Sequence, residues 1–350
     1  MRKIKRVEID WDSLGFDAVE TRSMFKATCK NDENWSGGQL IPYGNIQLSP
    51  AAGVLNYGQG VFEGTKAFNT AKGNIVIFRP RKNAERMRFS TKRLCIPAMD
   101  PEFFMTAVIQ TVKDNLDYVP PYGKGSLYIR PIVWGTSPVL GVRPVSEYTF
   151  MVFVSPVGPY FRGGLKPLNL KVTTDYHRAA PKGIGNAKAI GNYSASLYPL
   201  IEAKREGFDE VIYLDANDHK TVEEVGSANL FVYKDGIIST PSLDGSILDG
   251  VTRNSICKIA EGMLGIDVKQ TKVYIDDLLD ADEVFCTGTA VVVTPVGKIT
   301  YEDKVTEINK GLMGPITEKL RKTILGIQKE EVEDPFNWLT HIKKEDDNND

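Results

Sequence analysis

The chain has 350 residues, 42% hydrophobic, 25% charged and 9% aromatic, with a formal net charge of −2. That is enough apolar material for a sizeable core, and at roughly 100–200 residues per domain it points to two domains. The near-neutral charge excludes the basic excess that binds nucleic acid or an acidic membrane surface, which leaves a small molecule or a second copy of the chain as the expected partner.

In chain order, the start, MRKIKRVEIDWDSLG, has basic residues but no apolar run after them, so it does not read as a signal peptide. No stretch approaches about 18 uninterrupted apolar residues. GNIVIFRP, residues 73–80, reads as a strand, and the charged segment 82–95 as a helix stopped before Pro97. Residues 101–116 read as a second helix, with Phe104, Val108 and Val112 on one face. Two strands follow, 126–134 and 148–155. The Gly- and Pro-rich stretch 156–167 reads as an interdomain linker.

The second half opens with a strand at 168–174 and a helix at 195–206. Short strands are expected at 210–214, 229–233 and 236–239, a helix at 251–264, strands at 283–285 and 291–293, and a last long helix at 313–327. The charged tail KKEDDNND, 343–350, is expected to fray. There is no internal repeat. The fold class is α/β, in the sense of a mixed α+β chain of two domains.

Several chemistries are set aside. His177, His219 and His341 lack metal-ligand spacing, and no metal is expected. Cys29, Cys95, Cys257 and Cys286 lie far apart with no C-x-x-C pair, which argues against a disulfide framework and fits a reducing compartment. A cytoplasmic protein is expected, although a plastid or mitochondrial protein that has lost its transit peptide would read the same. No G-x-S-x-G elbow occurs, and neither Gly-Lys pair has the upstream glycine of a P-loop.

Four segments carry chemistry. In HRAAPKGIGNAKAIGNY, residues 177–193, glycines at 183, 185 and 191 surround Lys188 and would let the backbone approach a ligand closely. Ala187, Ala189 and Ile190 would shield the amine from water, the setting a Schiff-base lysine needs. Most lysines are nonetheless solvated, and this segment alone would more often be a surface loop. In TVEEVGSANLF, 221–231, two acids precede an apolar strand, and a carboxylate at a strand end can pair with a protonated ring nitrogen; an exposed acid pair is the commoner alternative. In ILDGVTRNS, 247–255, a helix start offers free N–H groups and a threonine hydroxyl to an anion, with simple capping by Asp249 as the alternative. CTGTA, 286–290, reads as a small-residue loop between strands, either a further set of donors or an ordinary turn.

In this order and spacing the segments resemble the branched-chain aminotransferases of fold type IV among pyridoxal-phosphate enzymes. LNYGQGVFEGTKAF (55–68), FRPRKNAERM (78–87), RLCIP (93–97) and SLYIRP (126–131) fit the same pattern. The resemblance runs from about Asn45 to Ala290. It implies a small N-terminal α/β domain at 1–155, the linker at 156–167, a larger cofactor-binding domain at 168–350, and pyridoxal 5'-phosphate at the domain interface. It implies that Lys188 forms the Schiff base and moves the proton, that Tyr193 bonds the cofactor's phenolic oxygen, and that Glu224 partners the pyridine nitrogen. Arg86 would bind the phosphate together with Gly250, Val251 and Thr252, with Leu248 beside the ring and Arg178 lining the site. Thr289 and Ala290 would form the phosphate and substrate-carboxylate loop. Tyr57, Phe62, Tyr128 and Arg130 would line the side-chain pocket, completed by the partner subunit of a homodimer.

An arginine facing an apolar substrate is costly unless paired, so Arg130 is expected at the rim or hydrogen-bonded. Mammalian members carry a redox C-x-x-C after the Gly-Thr-Ala loop; Val291 and Thr294 stand there in this chain, and no thiol switch is expected. The expected reaction carries the amino group of L-leucine, L-isoleucine or L-valine to 2-oxoglutarate. The rivals are a D-amino-acid aminotransferase or aminodeoxychorismate lyase on the same cofactor, and a non-catalytic binding protein that kept the fold.

Overall fold

The computed structural model describes residues 8–31, 33–158 and 165–343. Two units cluster separately, 1–162 with 326–350, and 163–325.

The first unit is built on an antiparallel sheet. Its strands run in the order Leu339–His341, Ile75–Phe78, Thr65–Asn69, Ser126–Gly135, Glu147–Val157, Ser23–Lys30 and Gln39–Pro42, with Gly60–Phe62 also pairing to Ser126–Gly135. The alternating burial of Ser23–Lys30 places Phe25, Ala27 and Cys29 inward. Helices Pro80–Arg93 and Pro101–Asp114 belong to this unit. Asp100 caps the second helix by accepting the N–H of Glu102 at 2.8 Å, and Pro101 sits where a missing N–H costs nothing. Phe104, Val108 and Val112 are fully buried, as their spacing requires. The first helix stops at Arg93, earlier than the sequence suggests, because Cys95 turns to φ +55°.

The last strand corrects the domain division. The sequence reading keeps residues 168–350 together, but Leu339–His341 pairs with Ile75–Phe78, so the last described strand belongs to the first unit. Glu147–Val157 also extends into the segment read as linker; residues 159–164 of that linker, and 344–350 of the expected tail, lie outside the described residues.

The second unit's sheet runs in the order Val222–Val225, Glu210–Leu214, Leu168–Thr173, Val292–Tyr301, Glu283–Gly288 and Ala228–Lys234, then continues to Ile237–Pro241 and Asp267–Thr271. Val222–Val225 also pairs with Ala228–Lys234, so the first six strands close into a ring with no open edge between them. The Glu224↔Asn229 register sits at that closure.

Helix Pro315–Gln328 is fastened to this sheet by a carboxylate. Buried Glu283 accepts the N–H of Ile316 at 3.0 Å and both N–H and hydroxyl of Thr317 at 2.8 and 2.7 Å. Gly314 is required there, since a Cβ would run into the Glu283 carboxylate. Charged hydrogen bonds at a helix N-terminus contribute roughly 1.5–3 kcal/mol. Glu283→Ala is therefore expected to lower stability by about 3 kcal/mol, read from the denaturant midpoint; a loss under about 0.5 kcal/mol would show that the helix is held by its apolar face alone.

Candidate active site

The loop carrying Lys188 is stapled to the helix that follows it. Asn192, in helix Ile190–Ala195, donates its side-chain amide to the carbonyls of Ile184 and Ala187, both at 2.9 Å. Ala187 and Ala189 are 1% exposed on either side of half-buried Lys188. Tyr193 stands one helical turn along, and Lys188 Nζ meets its hydroxyl at 2.6 Å. The glycines do not contribute alike. A Cβ at Gly185 would run into the Ser246 carbonyl, whereas at Gly191 it would meet nothing.

Glu224 does not stand at the start of an apolar strand, as its sequence context suggests. It lies inside the short strand Val222–Val225, at a register irregularity, and is 3% exposed. Its carboxylate is held from three sides: Arg178 Nη2 at 2.7 Å from Oε2, Asn229 Nδ2 at 2.9 Å from Oε1 and the Leu248 N–H at 3.3 Å from Oε2. Burial pushes its proton affinity up, and Arg178, then the Leu248 N–H, oppose that. Arg178 also donates to the Ser246 carbonyl, while its Nε has no hydrogen-bond partner among the described residues.

Arg178, Gly185, Tyr193, Glu224, Ser227 and Leu248 line one cleft. Helix Val251–Leu264 begins beside it, because Asn229 joins Glu224 to the Leu248 carbonyl at 3.0 Å and a Cβ at Gly250 would strike the Asn229 side chain. Gly250 is the N-cap and has no side chain with which to cap the helix. The first N–H groups, of Val251 and Thr252, carry the positive end of the helix dipole. CTGTA also differs from expectation: Cys286, Thr287 and Gly288 are strand, and only Thr289 and Ala290 stand in the turn. Thr287 pairs with Asn229, which brings that strand end to the cleft.

A lysine paired to a phenol, a buried carboxylate held by a guanidinium, and a helix N-terminus form one set of polar groups. They fit an aromatic cationic ring bearing a phenolic oxygen and a phosphate. The carboxylate would meet the ring nitrogen, the phenol the ring oxygen and the helix start the anion.

In the first unit, Arg86 Nε and Nη2 grip the fully buried carboxylate of Glu63 at 2.7 and 2.8 Å, and Asn83 donates to the same group at 2.7 Å. Sequence reasoning misses Glu63; an acid inside the apolar strand pattern VFEGTKAF is its only signal. Arg130 meets the expectation set by its cost of burial: Nη2 donates to the Tyr128 hydroxyl at 2.9 Å, and the guanidinium lies over the Phe62 ring at 4.6 Å. Phe16, also missed, packs edge-on against Tyr128 with ring centroids 5.2 Å apart. Tyr57 ends helix Gly53–Tyr57 and donates to the Leu140 carbonyl. Asn229, Ser227 and Asn192 fall inside the chemistry-bearing segments but carry no pattern of their own.

Residues 60–299 match the model of the family described as amino-transferase class IV. The chain is 48% identical to branched-chain amino acid aminotransferase 2, chloroplastic, of Humulus lupulus, over 97% of this chain and 83% of that one. Among solved structures it resembles the Escherichia coli branched-chain amino acid aminotransferase, at 30% identity and TM-score 0.80, covering 93% of this chain and all of that one. It also resembles a T.th. branched-chain amino acid aminotransferase with pyridoxamine 5'-phosphate, at 31% identity and TM-score 0.78, with 93% and 100% covered.

Proposed function

The chain belongs to the class IV aminotransferases, and from that we propose that it moves the amino group of L-leucine, L-isoleucine or L-valine to 2-oxoglutarate, giving branched 2-oxo acids and L-glutamate. Its cofactor is pyridoxal 5'-phosphate. The observation that carries the residue roles is the 2.6 Å contact of Lys188 Nζ with the Tyr193 hydroxyl beside a cleft lined by buried Glu224.

When bound, the cofactor supplies an electron sink for charge left on the substrate's α-carbon. Lys188 is the primary amine that would hold the cofactor, and its Nζ would take and return the α-proton. Tyr193 orients that amine and holds the phenolic oxygen. Glu224 would meet the ring nitrogen and hold a positive charge there, and Arg178 and Asn229 aim its carboxylate. The helix start at Gly250, Val251 and Thr252, with Thr289, would hold the phosphate, with Leu248 beside the ring and Ala290 at the substrate carboxylate; Arg86, paired with Glu63 in the first unit, is proposed as a phosphate residue on the resemblance alone.

The pocket must accept a branched side chain and then that of glutamate. Phe62, Tyr57 and the Tyr128 ring serve the first; the Arg130 guanidinium and Tyr128 hydroxyl serve the second. Arg130→Met is expected to raise KM for 2-oxoglutarate by roughly 10- to 100-fold, the worth of one charge-assisted hydrogen bond, and to leave KM for L-leucine within about threefold. Equal rises for both substrates would make Arg130 a strand residue rather than a specificity group.

A homodimer is the proposed assembly. Leu140 and Val142, 85% and 88% exposed on the loop between two strands of the first unit, support it, because apolar side chains so bare favour a partner surface. Sedimentation of the purified protein tests it. The proposed compartment is the cytoplasm, which four unpaired cysteines suit; imaging of a tagged full-length protein distinguishes it from the plastid.

The activity test is the absorption spectrum of the protein loaded with pyridoxal phosphate, followed on adding L-leucine, L-methionine or D-alanine. Bleaching by L-leucine is expected. Bleaching by D-alanine alone would move the substrate to a sister activity, and no visible band would overturn the residue roles.

A further inference from the structure

Glu224 has a neighbour that the mechanism above does not use. Glu223 is 2% exposed, and neither carboxylate oxygen has a hydrogen-bond partner among the described residues. The nearby Ser246 hydroxyl is turned to Asp244, at 3.0 Å. Glu223 lines a second cavity, of about 230 Å³, together with Asp215, Asp218, Asp244 and Lys272, whereas Glu224 lines the active-site cleft. Strand Val222–Val225 thus presents two buried carboxyls in succession, at the irregularity in its pairing.

The charges on either side are uneven. Arg178 is the guanidinium that acts on both carboxyls. Its Nη2 is committed to Glu224 at 2.7 Å, and Glu224 has two further donors. Asp215, Asp218, Asp244 and Lys272 line the cavity with Glu223, and the charges of Arg178, from the 177–181 segment, of Glu224, on its own strand, and of Asp215 act on it. Lys272 is drawn to Asp218 at 3.3 Å. A single guanidinium cannot neutralise two adjacent buried carboxylates, and the one with hydrogen bonds keeps the charge.

Taking the transaminase reading above as its basis, we propose that Glu223 is a positioning residue: it carries a proton at the inner end of the second cavity, and its ionisation draws Arg178 away from Glu224 and so weakens the hold of Glu224 on the ring nitrogen. Burial pushes the Glu223 carboxyl up to about 7; the nearby Ser246 hydroxyl and then the Arg178 charge lower it, and the charges of Glu224 and Asp215 raise it. The ionisation therefore falls in the range where the enzyme works. The second cavity supplies the route by which the proton exchanges with solvent, away from the substrate.

The sign of the effect on stability follows from proton binding. Between 4.5, the ordinary value, and about 7 the folded protein keeps a proton that the unfolded chain has lost. Glu223 thus favours folding most at low pH, and that contribution disappears as pH rises through about 7. Glu223→Gln holds the shape and cannot ionise. In cofactor-free protein its melting temperature is expected to rise relative to wild type by a few degrees from about pH 5 to about pH 8 and to level off above. Glu223→Met, which fills the space without a carboxyl, is the second variant should the first fail to fold. In protein loaded with pyridoxal phosphate, the wild-type absorption is expected to show a step near neutral pH that both variants lack.

Melting curves that stay parallel over that range overturn the proposal. A melting gap with the absorption step unchanged also overturns it, since Glu223 would then titrate without acting through Arg178. Failure of the cofactor to bind would sink the transaminase roles instead, and the cofactor-free melting would still decide whether Glu223 holds its proton.

Discussion

Lys188→Ala is expected to lower turnover of L-leucine with 2-oxoglutarate by more than about 10³-fold, since proton transfer by a placed side chain alone contributes 10²–10⁴. Lys188 is asked to do two things, attach the cofactor and move a proton between neighbouring atoms, and alanine does neither. The loss corresponds to at least about 4 kcal/mol of barrier. The fold should survive, because the loop is held by Asn192 through the carbonyls of Ile184 and Ala187 rather than by the lysine. Melting within about 2 °C of wild type would separate lost chemistry from lost structure. A small primary amine added to the variant should restore part of the proton transfer, because the space left beside Tyr193 matches the atoms removed. Loss of less than about tenfold would mean that another group carries the proton. The measurement is steady-state rate on protein whose cofactor content has been determined, so that weaker cofactor binding is not counted as slower chemistry.

Elements with a local signal are legible in the sequence. Helix Pro101–Asp114 has its cap, its proline and its apolar stripe, and the pattern of helix Val251–Leu264 predicts its observed bounds. What escapes is set by partners far along the chain. Leu339–His341 joins the first unit through Ile75–Phe78, more than two hundred residues earlier, and three residues of strand carry no period of their own. Glu223 and Glu224 look like a solvated acid pair because charge normally predicts exposure. They are buried because Arg178, in a different segment, supplies the counter-charge. Asn229 reads as an ordinary polar interruption of an apolar strand until the ring of strands closes and sets it opposite Glu224. Arg86 is legible as a cation, but its partner Glu63 lies on the far side of two strands and a turn. Chemistry-bearing residue types are therefore easier to find than the residues that orient them, since orientation depends on pairings that no local pattern encodes.

Glu224→Gln is the second large effect, and it should act on stability and catalysis together. In the folded protein the change strands Arg178, 7% exposed, without the carboxylate that offsets its burial. Removing one member of a buried pair costs roughly 3–5 kcal/mol. The same change removes the charge that keeps the ring nitrogen protonated, and loss of one preorganised electrostatic partner slows the chemical step by roughly 10²–10³. The stability loss appears in cofactor-free protein, by melting or denaturant midpoint, and the rate loss only in the loaded enzyme. Glu224→Asp should recover part of both if charge is what matters. Arg178 also faces Glu223, so the Gln variant offers the freed guanidinium to the neighbouring carboxyl, which should ionise in its place. The Glu223→Gln/Glu224→Gln double variant would then lose more stability than the sum of the single changes, because it leaves Arg178 with no carboxylate on that strand. Strict additivity would mean that Arg178 answers to Glu224 alone. A Glu224→Gln protein that keeps turnover within about tenfold would remove Glu224 from the ring nitrogen, whatever its cost to the fold.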